Sequence, residues 1–539
     1  MRRATHYKSA LLLATALTAL TIFLASNLLL LDKDPVVNVD EPWISDAAHQ
    51  FAETGRFSPV MFQGKHYNLE GRYRWTIHQL LLAVVFKIGG FGLYQARLVS
   101  FLSGLAALCL LFLLGKRLYD RSVGILAVNL FAFSPIYEVS RIARGEMLLT
   151  VFILASVYAA VVGIQRRSGW LLAASGLISA LGCAVHLNGL AVVCAIGLLF
   201  LTHFRASILR IGGLASYVAG AAVAAICWVL VYGLVLTEVA GTINIVPRVT
   251  RPWEFLVFSA SKLVPYSDHF HGGPGHNVSV MTALIVVSIY YLARRRSSSD
   301  KIVLTIPAVF IAFYAFVSMS INPHYLVYVF PFLFIAVAST VIDATRSVMN
   351  RADHVPLNKR IPALAMLIVT IGWGGVRAAD DIVRAYRARG ESGYDAYIGR
   401  LKRFIPPGAV IMGQPTWYYG FHQQPYYADR YFAWIARTHD SRVREKLGGT
   451  FSQALRRAGV EYLILDTQLT RRMHRPDNDL YGLPLDQVIP FLEEQCVLVG
   501  AVEEGVYADG MTNLTKIYKV KDPVDIPAPA HQLKMVEPS

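Results

Sequence analysis

The chain has 539 residues, of which 55% are hydrophobic and only 16% charged, with a formal net charge of +15. A mean hydropathy of +0.44 and repeated apolar runs of roughly 16–22 residues exclude a soluble globular protein, since such runs can cross a ~30 Å hydrocarbon core. The basic excess falls largely in loops between those runs and is therefore no evidence for nucleic acid. Cys109, Cys183, Cys194 and Cys227 lie inside apolar runs and Cys496 stands apart, which leaves no disulfide framework or paired-cysteine metal site.

In chain order, the basic MRRATHYKSA leads into an apolar run ending near Leu31. The run passes Ala25-Ser26, its one small-residue candidate for cleavage, and continues through Leu28 to Leu31, so an uncleaved first span with a cytoplasmic N-terminus is expected. VNVDEPWISDAAHQFAETGRF follows, from Val37 to Phe57, with adjacent carboxylates at Asp40 and Glu41. Pro42 suits a first helical turn and an acid there suits the helix dipole, so Asp40 reads as an N-cap. A carboxylate fixed at a helix start is equally well placed to take a proton from a hydroxyl or amine. In that helix Trp43, Ala47 and Phe51 make an apolar face, leaving Asp46, His49 and Glu53 on the wet side. A solvated face explains those three better than a metal site.

Thr76 to Gly92 is apolar but short and carries His78 and Lys87; it reads as an interfacial or re-entrant helix, which makes 32–94 one outer loop. Further spans are expected near 95–115, 122–138, 146–164, 169–185, 188–204, 210–237, 278–293, 301–320, 323–343 and 361–378. Basic clusters such as Lys116-Arg117, Arg166-Arg167 and Arg294-Arg295-Arg296 separate alternate spans, and the positive-inside rule then requires about eleven crossings. Residues 1–378 form the membrane domain and 379–539 an outer domain. Short apolar stretches at Ala409–Gly413, Glu461–Asp466, Val497–Val502 and Thr515–Val520, with a helical pattern at Phe451–Ala458, make that domain a small α/β fold ending in a Pro-rich segment.

Polar residues collect at outer helix ends: Asp40 and Glu41; Arg141, Arg144 and Glu146; His186 and Asn188; Asn322, His324 and Tyr325; and His269, His271 and His276 in a Gly-rich loop. Ionisable groups inside a bilayer usually face a cavity or a partner. Gathered at one leaflet's edge, these suit a reaction on a lipid head group. Arginine forks bind phosphate oxygens, and an Arg–Glu146 ion pair is the structural alternative for Arg141 and Arg144.

The first span, the DE pair, the amphipathic helix with its Gly55-Arg56-Phe57 turn, HYNLEGRYRW, GLYQARLVSFLSGLAALCLLFLLGKRLYDRSVGILAV and SRIARGEMLLTVF together resemble the polyprenyl-phosphate-dependent glycosyltransferases of the GT-C fold. The likeness is strongest over residues 8–205 and narrows to the bacterial branch with the lipid A aminoarabinose transferase and the protein O-mannosyltransferases. It implies a catalytic base or acceptor-orienting role for Asp40, with Glu41 beside it and Glu146 as the supporting acid. Arg144, with Arg72 or Arg74, would hold the donor phosphate, and His324 and Tyr325 would close the site. Where the aminoarabinose branch has Glu-Lys-Pro-Pro this chain has Glu70-Gly71-Arg72-Tyr73, which leaves the donor sugar open.

The implied reaction is an inverting displacement from a polyprenyl-phosphate sugar onto a lipid, glycan or protein hydroxyl, at the outer face of a bacterial inner membrane. A divalent cation is possible but not implied, and no cofactor is required. The aromatic segment PTWYYGFHQQPYYADRYFAW reads as packing for the outer domain or as a cover for the acceptor. A lipid-linked-sugar transporter is the reading from another class, and a scaffold subunit a third. Transporters tend to show paired halves with polar groups near the midplane, and no such repeat stands out here.

Overall fold

The structure is a computed structural model that describes residues 17–18, 20–57, 59–61, 76–203, 212–232, 278–316, 323–350, 357–389, 393–437, 448–466, 485–504 and 513–521. The chain packs as two compact units, one of 1–35, 70–85 and 94–389, the other of 36–69, 86–93 and 390–539. The division drawn from composition at 378/379 is thus redrawn: the first outer segment packs with the C-terminal residues, through hydrogen bonds described below.

The first unit is helical. Apolar runs become helices because a lipid environment leaves a backbone no hydrogen-bond partner outside its own segment. Leu93–Leu118, Glu146–Arg166, Gly213–Leu230, Ser298–Ala315 and Phe330–Val348 are long and apolar enough to cross a membrane, and Arg121–Ala132 with Pro135–Arg141 makes a sixth if the 72° bend between them is one broken span. Leu20–Leu30, Thr76–Gly89, Gly169–Val185 and Gly189–Leu201 are shorter apolar helices. Val278–Arg295 and Leu357–Arg389 complete the set among the described residues, the latter running eleven residues past 378. Leu230 (77% exposed) and Trp170 (81%) are among the large apolar side chains left on this surface.

Charged residues fix the helix ends. Fully buried Arg97 donates to the carbonyls of Leu31 (3.0 Å) and Pro35 (2.8 Å), satisfying backbone oxygens left open where the first helix stops. At the opposite end of the Leu93–Leu118 helix, Tyr119 donates to Asp300 at 2.8 Å. Arg295 pairs with Asp300 and Asp343, and Arg346 with Asp120, so four helix ends meet in one ionic knot.

Between Gly169–Val185 and Gly213–Tyr232 the helices touch backbone to backbone. A Cβ on Gly176 would lie 1.9 Å from the Tyr217 carbonyl oxygen, and one on Gly220 1.8 Å from that of Ala173. Small residues permit such approach, and in lipid close packing is what drives helices together. Ser156 and Ser175 exchange hydroxyl-to-carbonyl bonds of 2.8 Å across the neighbouring Glu146–Arg166 and Gly169–Val185 pair.

The second unit holds a five-stranded sheet of β1 (Ile411–Gly413), β2 (Tyr426–Ala428), β3 (Tyr462–Leu465), β4 (Cys496–Glu504) and β5 (Asn513–Val520), in the order β2-β1-β3-β5-β4. The β2, β1 and β3 pairings are parallel, while β5 runs antiparallel to β3 and β4. The four expected strands are present and the Phe451–Arg457 helix lies where its pattern placed it. β2 was missed because it is three residues inside an aromatic run. Those aromatics pack inward: Trp417, Tyr418, Phe421, Tyr426 and Phe432 are buried.

Replacing Gly220 by Leu is expected to prise the Gly169–Val185 and Gly213–Tyr232 helices apart at a cost of about 1–3 kcal/mol or more. Thermal unfolding of the detergent-solubilised chain measures it, with Gly197→Leu, which meets no neighbour within 4 Å, as the neutral control.

Candidate active site

In the first unit the site starts from a turn. Ser100 Oγ donates to the Arg144 carbonyl at 3.1 Å, and the Arg144 N–H bonds back to Ile142 O at 2.7 Å. This tight turn delivers Glu146 as the first residue of the Glu146–Arg166 helix, where the helix dipole favours an acid. Arg144 grips Glu146 Oε1 through Nε at 2.8 Å and through its terminal nitrogen at 2.7 Å. Arg144 is 4% exposed and Glu146 fully buried. A charge so placed is tolerable only with a close partner. The ion-pair alternative for Arg144 is therefore realised, without using up the acid, since Glu146 Oε2 makes no hydrogen bond among the described residues.

Other polar groups turn toward this pair. His186 and His324 lie within electrostatic reach of Glu146. Tyr325 meets the His186 ring edge-on at 5.2 Å and stacks with Tyr328 at 6.1 Å. The expected His324 and Tyr325 thus join Arg144 and Glu146 in one place. Sequence reading missed two members. His78 is fully buried and faces Glu146 and Arg144; among the described residues neither ring nitrogen completes a hydrogen bond, although the Ala143 backbone lies alongside. Tyr328, also buried, faces the same pair, its hydroxyl unbonded among the described residues. The available signal for His78 was a histidine inside an apolar helix, read only as an obstacle to spanning. Buried polar atoms are nearly always bonded, so the orphans of His78, Tyr328 and Glu146 around one ion pair leave unused hydrogen-bonding capacity there.

The second unit carries the DE pair at the start of the Asp40–Thr54 helix. Asn38 Oδ1 accepts the Asp40 N–H at 2.9 Å, while Glu41 Oε1 accepts the Asn38 N–H at 2.7 Å. This reciprocal arrangement is a capping box built on Asn38. Glu41 is fully buried in it. The helix stops at Gly55, whose φ of 73° suits the left-handed cap and whose N–H bonds Phe51 O. Phe51 and Phe57 stack across the turn at 4.3 Å.

The expectation for Asp46 is corrected: it is fully buried, not on a wet face. It accepts the Met61 N–H at 3.0 Å and the Tyr418 hydroxyl at 2.9 Å. Met61 O in turn takes the Ala428 N–H at 3.0 Å, at the end of β2. These bonds stitch the first outer segment into the C-terminal fold. Burial outweighs those hydrogen bonds and raises the Asp46 carboxyl to about 7. Nearby His49 stacks on Phe91 at 4.3 Å and meets the His422 ring at 5.6 Å. Glu53 is exposed. No three His, Cys, Asp or Glu among the described residues converge to hold a metal. Arg72, Arg74, Asn322, His269, His271 and His276 lie outside the described residues.

The family described as dolichyl-phosphate-mannose-protein mannosyltransferase matches residues 76–232, under half of the chain. No curated protein sequence matches it. Among solved structures the chain is similar to ArnT from Cupriavidus metallidurans bound to undecaprenyl phosphate, at 12% identity and a TM-score of 0.57, over 94% of this chain and 97% of that one. It is also similar to the archaeal oligosaccharyltransferase AglB from Archaeoglobus fulgidus, in complex with an inhibitory peptide and a dolichol-phosphate, at 12% identity and a TM-score of 0.50, over 97% and 75%. At such identities the likeness is one of fold, and the fold is the GT-C type that the sequence resembles.

The Asp46 carboxyl binds its proton more tightly folded than unfolded. Its contribution to stability is thus fully present below about pH 4 and is lost as pH rises through about 7, by an amount on the order of a few kcal/mol. Asp46→Asn is expected to flatten this dependence, read as hydrogen-exchange protection of the 44–61 amides in the full chain, corrected for intrinsic rates.

Proposed function

We propose that this chain is a membrane glycosyltransferase that moves a sugar from a polyprenyl-phosphate donor to an acceptor in the bacterial envelope. The observation that carries the proposal is the buried Arg144–Glu146 pair at a helix start, with His186 and His324 within electrostatic reach and with His78, Tyr328 and Glu146 Oε2 keeping polar atoms unbonded among the described residues. Such a cluster fits a phosphate-bearing ligand at a membrane face. The partial family match and the GT-C fold support the reaction class, and the undecaprenyl phosphate in the ArnT structure supports the lipid.

In the reaction, the acceptor oxygen forms a bond to the anomeric carbon as the anomeric carbon–oxygen bond to phosphate breaks on the opposite face. The acceptor proton goes to Asp40, and the bonding pair leaves with the polyprenyl phosphate as a monoester anion. Arg144, assisted by Arg72 or Arg74 and by His324 and Tyr325, stabilises charge growing on the phosphate. Glu146 holds the Arg144 fork at the required angle. Glu41 supports Asp40 by fixing the helix that carries it. No nucleotide leaves, so no metal or cofactor is needed to stabilise the leaving group.

The proposed setting is the inner membrane, with the N-terminus in the cytoplasm, about eleven crossings counted by the charge of the loops, and the acids on the outer face. The acceptor is lipid A, lipopolysaccharide or another envelope glycan. A protein hydroxyl is the second reading, favoured by the mannosyltransferase description of the matching family.

Asp40→Asn is expected to lower turnover by about 10²–10⁴-fold while leaving the melting temperature unchanged. Glu41→Ala is expected to do the reverse in kind, lowering the melting temperature through loss of the capping-box acceptor for the Asn38 N–H. Both are measured on purified protein with a polyprenyl-phosphate sugar, beside the glycolipid and glycoprotein profiles of cells. Profiles unchanged by Asp40→Asn and by deletion of the gene would refute the enzyme and leave the transporter without support as well. Profiles lost on deletion yet intact in Asp40→Asn would favour the transporter.

A further inference from the structure

Within the second unit the Asp40–Thr54 helix is held to the C-terminal residues by one face. Ser45, Asp46 and His49 share that face and meet Tyr419, Tyr418 and His422 in turn. Ser45 Oγ lies 2.8 Å from the Tyr419 hydroxyl, Asp46 accepts from Tyr418, and the His49 and His422 rings meet edge-on at 5.6 Å. Phe91 packs on both rings, stacked with His49 at 4.3 Å and edge-on to His422 at 4.8 Å. The proposed reaction uses neither histidine.

Both imidazoles are half-buried. His422 Nδ1 lies 2.8 Å from the Tyr419 carbonyl oxygen, so Nδ1 carries the proton and donates, and Nε2 takes up the next one. Once both rings are protonated, two positive charges face each other at 5.6 Å, one on each side of the seam. Like charges so close repel. The other charged groups facing the pair leave the balance positive. Glu53, one turn along the helix and exposed, favours a charged His49, whereas Lys402, over the Phe421 ring at 5.7 Å, opposes a charged His422. Lys87 donates to the Ala52 carbonyl at 3.3 Å and adds a further positive charge near the helix end.

We infer that His49 and His422 form an acid-opened clasp: when both take up protons, their repulsion parts the Asp40–Thr54 helix from the 418–422 segment. Burial holds both imidazoles below their ordinary range, and the His422 charge lowers His49 further. The fold therefore favours the neutral rings. The clasp's contribution is fully present above about pH 6.5 and is lost as pH falls through the lower folded values. Asp46 acts in the opposite sense, so the seam has an acid limb and an alkaline limb. The helix begins at Asp40, so opening the clasp would also release the acid placed in the reaction. That consequence rests on the proposed function; the clasp itself does not.

The test is hydrogen exchange of the full chain in detergent between pH 7 and pH 5, corrected for intrinsic rates. Asp46→Asn serves as the parent, so that only the acid limb remains. Peptides covering 45–54 and 418–424 are expected to lose protection severalfold or more as pH falls, by at most about tenfold per pH unit for each proton taken up. β4 and β5 are expected to stay protected. His49→Phe keeps the stack on Phe91, and His422→Asn keeps a donor for the Tyr419 carbonyl. Each is expected to retain only part of the loss, the two remainders together falling short of the parent's by the repulsion, and the double variant is expected to be level. A purely structural role would lower protection at every pH and leave the slope unchanged. Protection level in the parent, a slope kept in the double variant, or equal loss in β4 and β5 overturns the clasp. Remainders that add up to the parent's loss overturn it too, because the rings then titrate independently. The readout is local opening, so a failure here leaves the sugar-transfer reading untouched.

Discussion

A buried charge must have a partner, and the first unit is arranged around that constraint. Glu146 has no exposed surface, and its helix start alone would not hold a carboxylate away from water. Arg144, two residues earlier, supplies the partner, and the tight turn closed by Ser100 makes the approach possible. Everything nearby then has to tolerate a polar core. His78, His186, His324 and the two tyrosines meet that demand, and His78 and Tyr328 keep polar atoms unbonded among the described residues.

The same constraint recurs with different outcomes. At the opposite helix ends, Arg295, Asp300, Asp343 and Tyr119 satisfy one another closely, a structural knot with nothing left over. Around Arg141 the pairing is long and unfinished. In the second unit Asp46 is held by the Met61 N–H and the Tyr418 hydroxyl, and burial outweighs these donors, so its proton affinity rises. The buried acids Glu146, Asp300 and Asp46 thus differ in what holds them, and the consequences differ with it.

Much of this was legible in the sequence, because hydrocarbon imposes a one-dimensional rule. Helices such as Leu93–Leu118 and Glu146–Arg166 match apolar runs nearly residue for residue. The strands of β3 and β5 were legible as short apolar stretches between polar turns. What escaped depends on contacts between distant positions. Asp46 reads as a wet-face residue by helical period, yet Tyr418 buries it from 372 residues away. Asn38 sits in a plain coil stretch, and only the reciprocal bonds with Glu41 and the Asp40 N–H make it the cap. β2 carries no strand pattern of its own; its pairing with β1 makes it a strand.

The discontinuous second unit bears on how the protein is made. Residues 36–61 emerge from the ribosome long before the segment that completes their fold. With 372 residues between Asp46 and Tyr418, synthesis at roughly 5–20 residues per second leaves them waiting for about 20–75 s. During that interval the Asp40–Thr54 helix has its own capping box but lacks the Tyr418 contact, and Asp46 stays hydrated and ionised. Its proton affinity rises only when the C-terminal segment arrives and buries it. Assembly of the first outer segment is thus timed by the last part of the chain, and a nascent chain stalled before Tyr418 cannot close it.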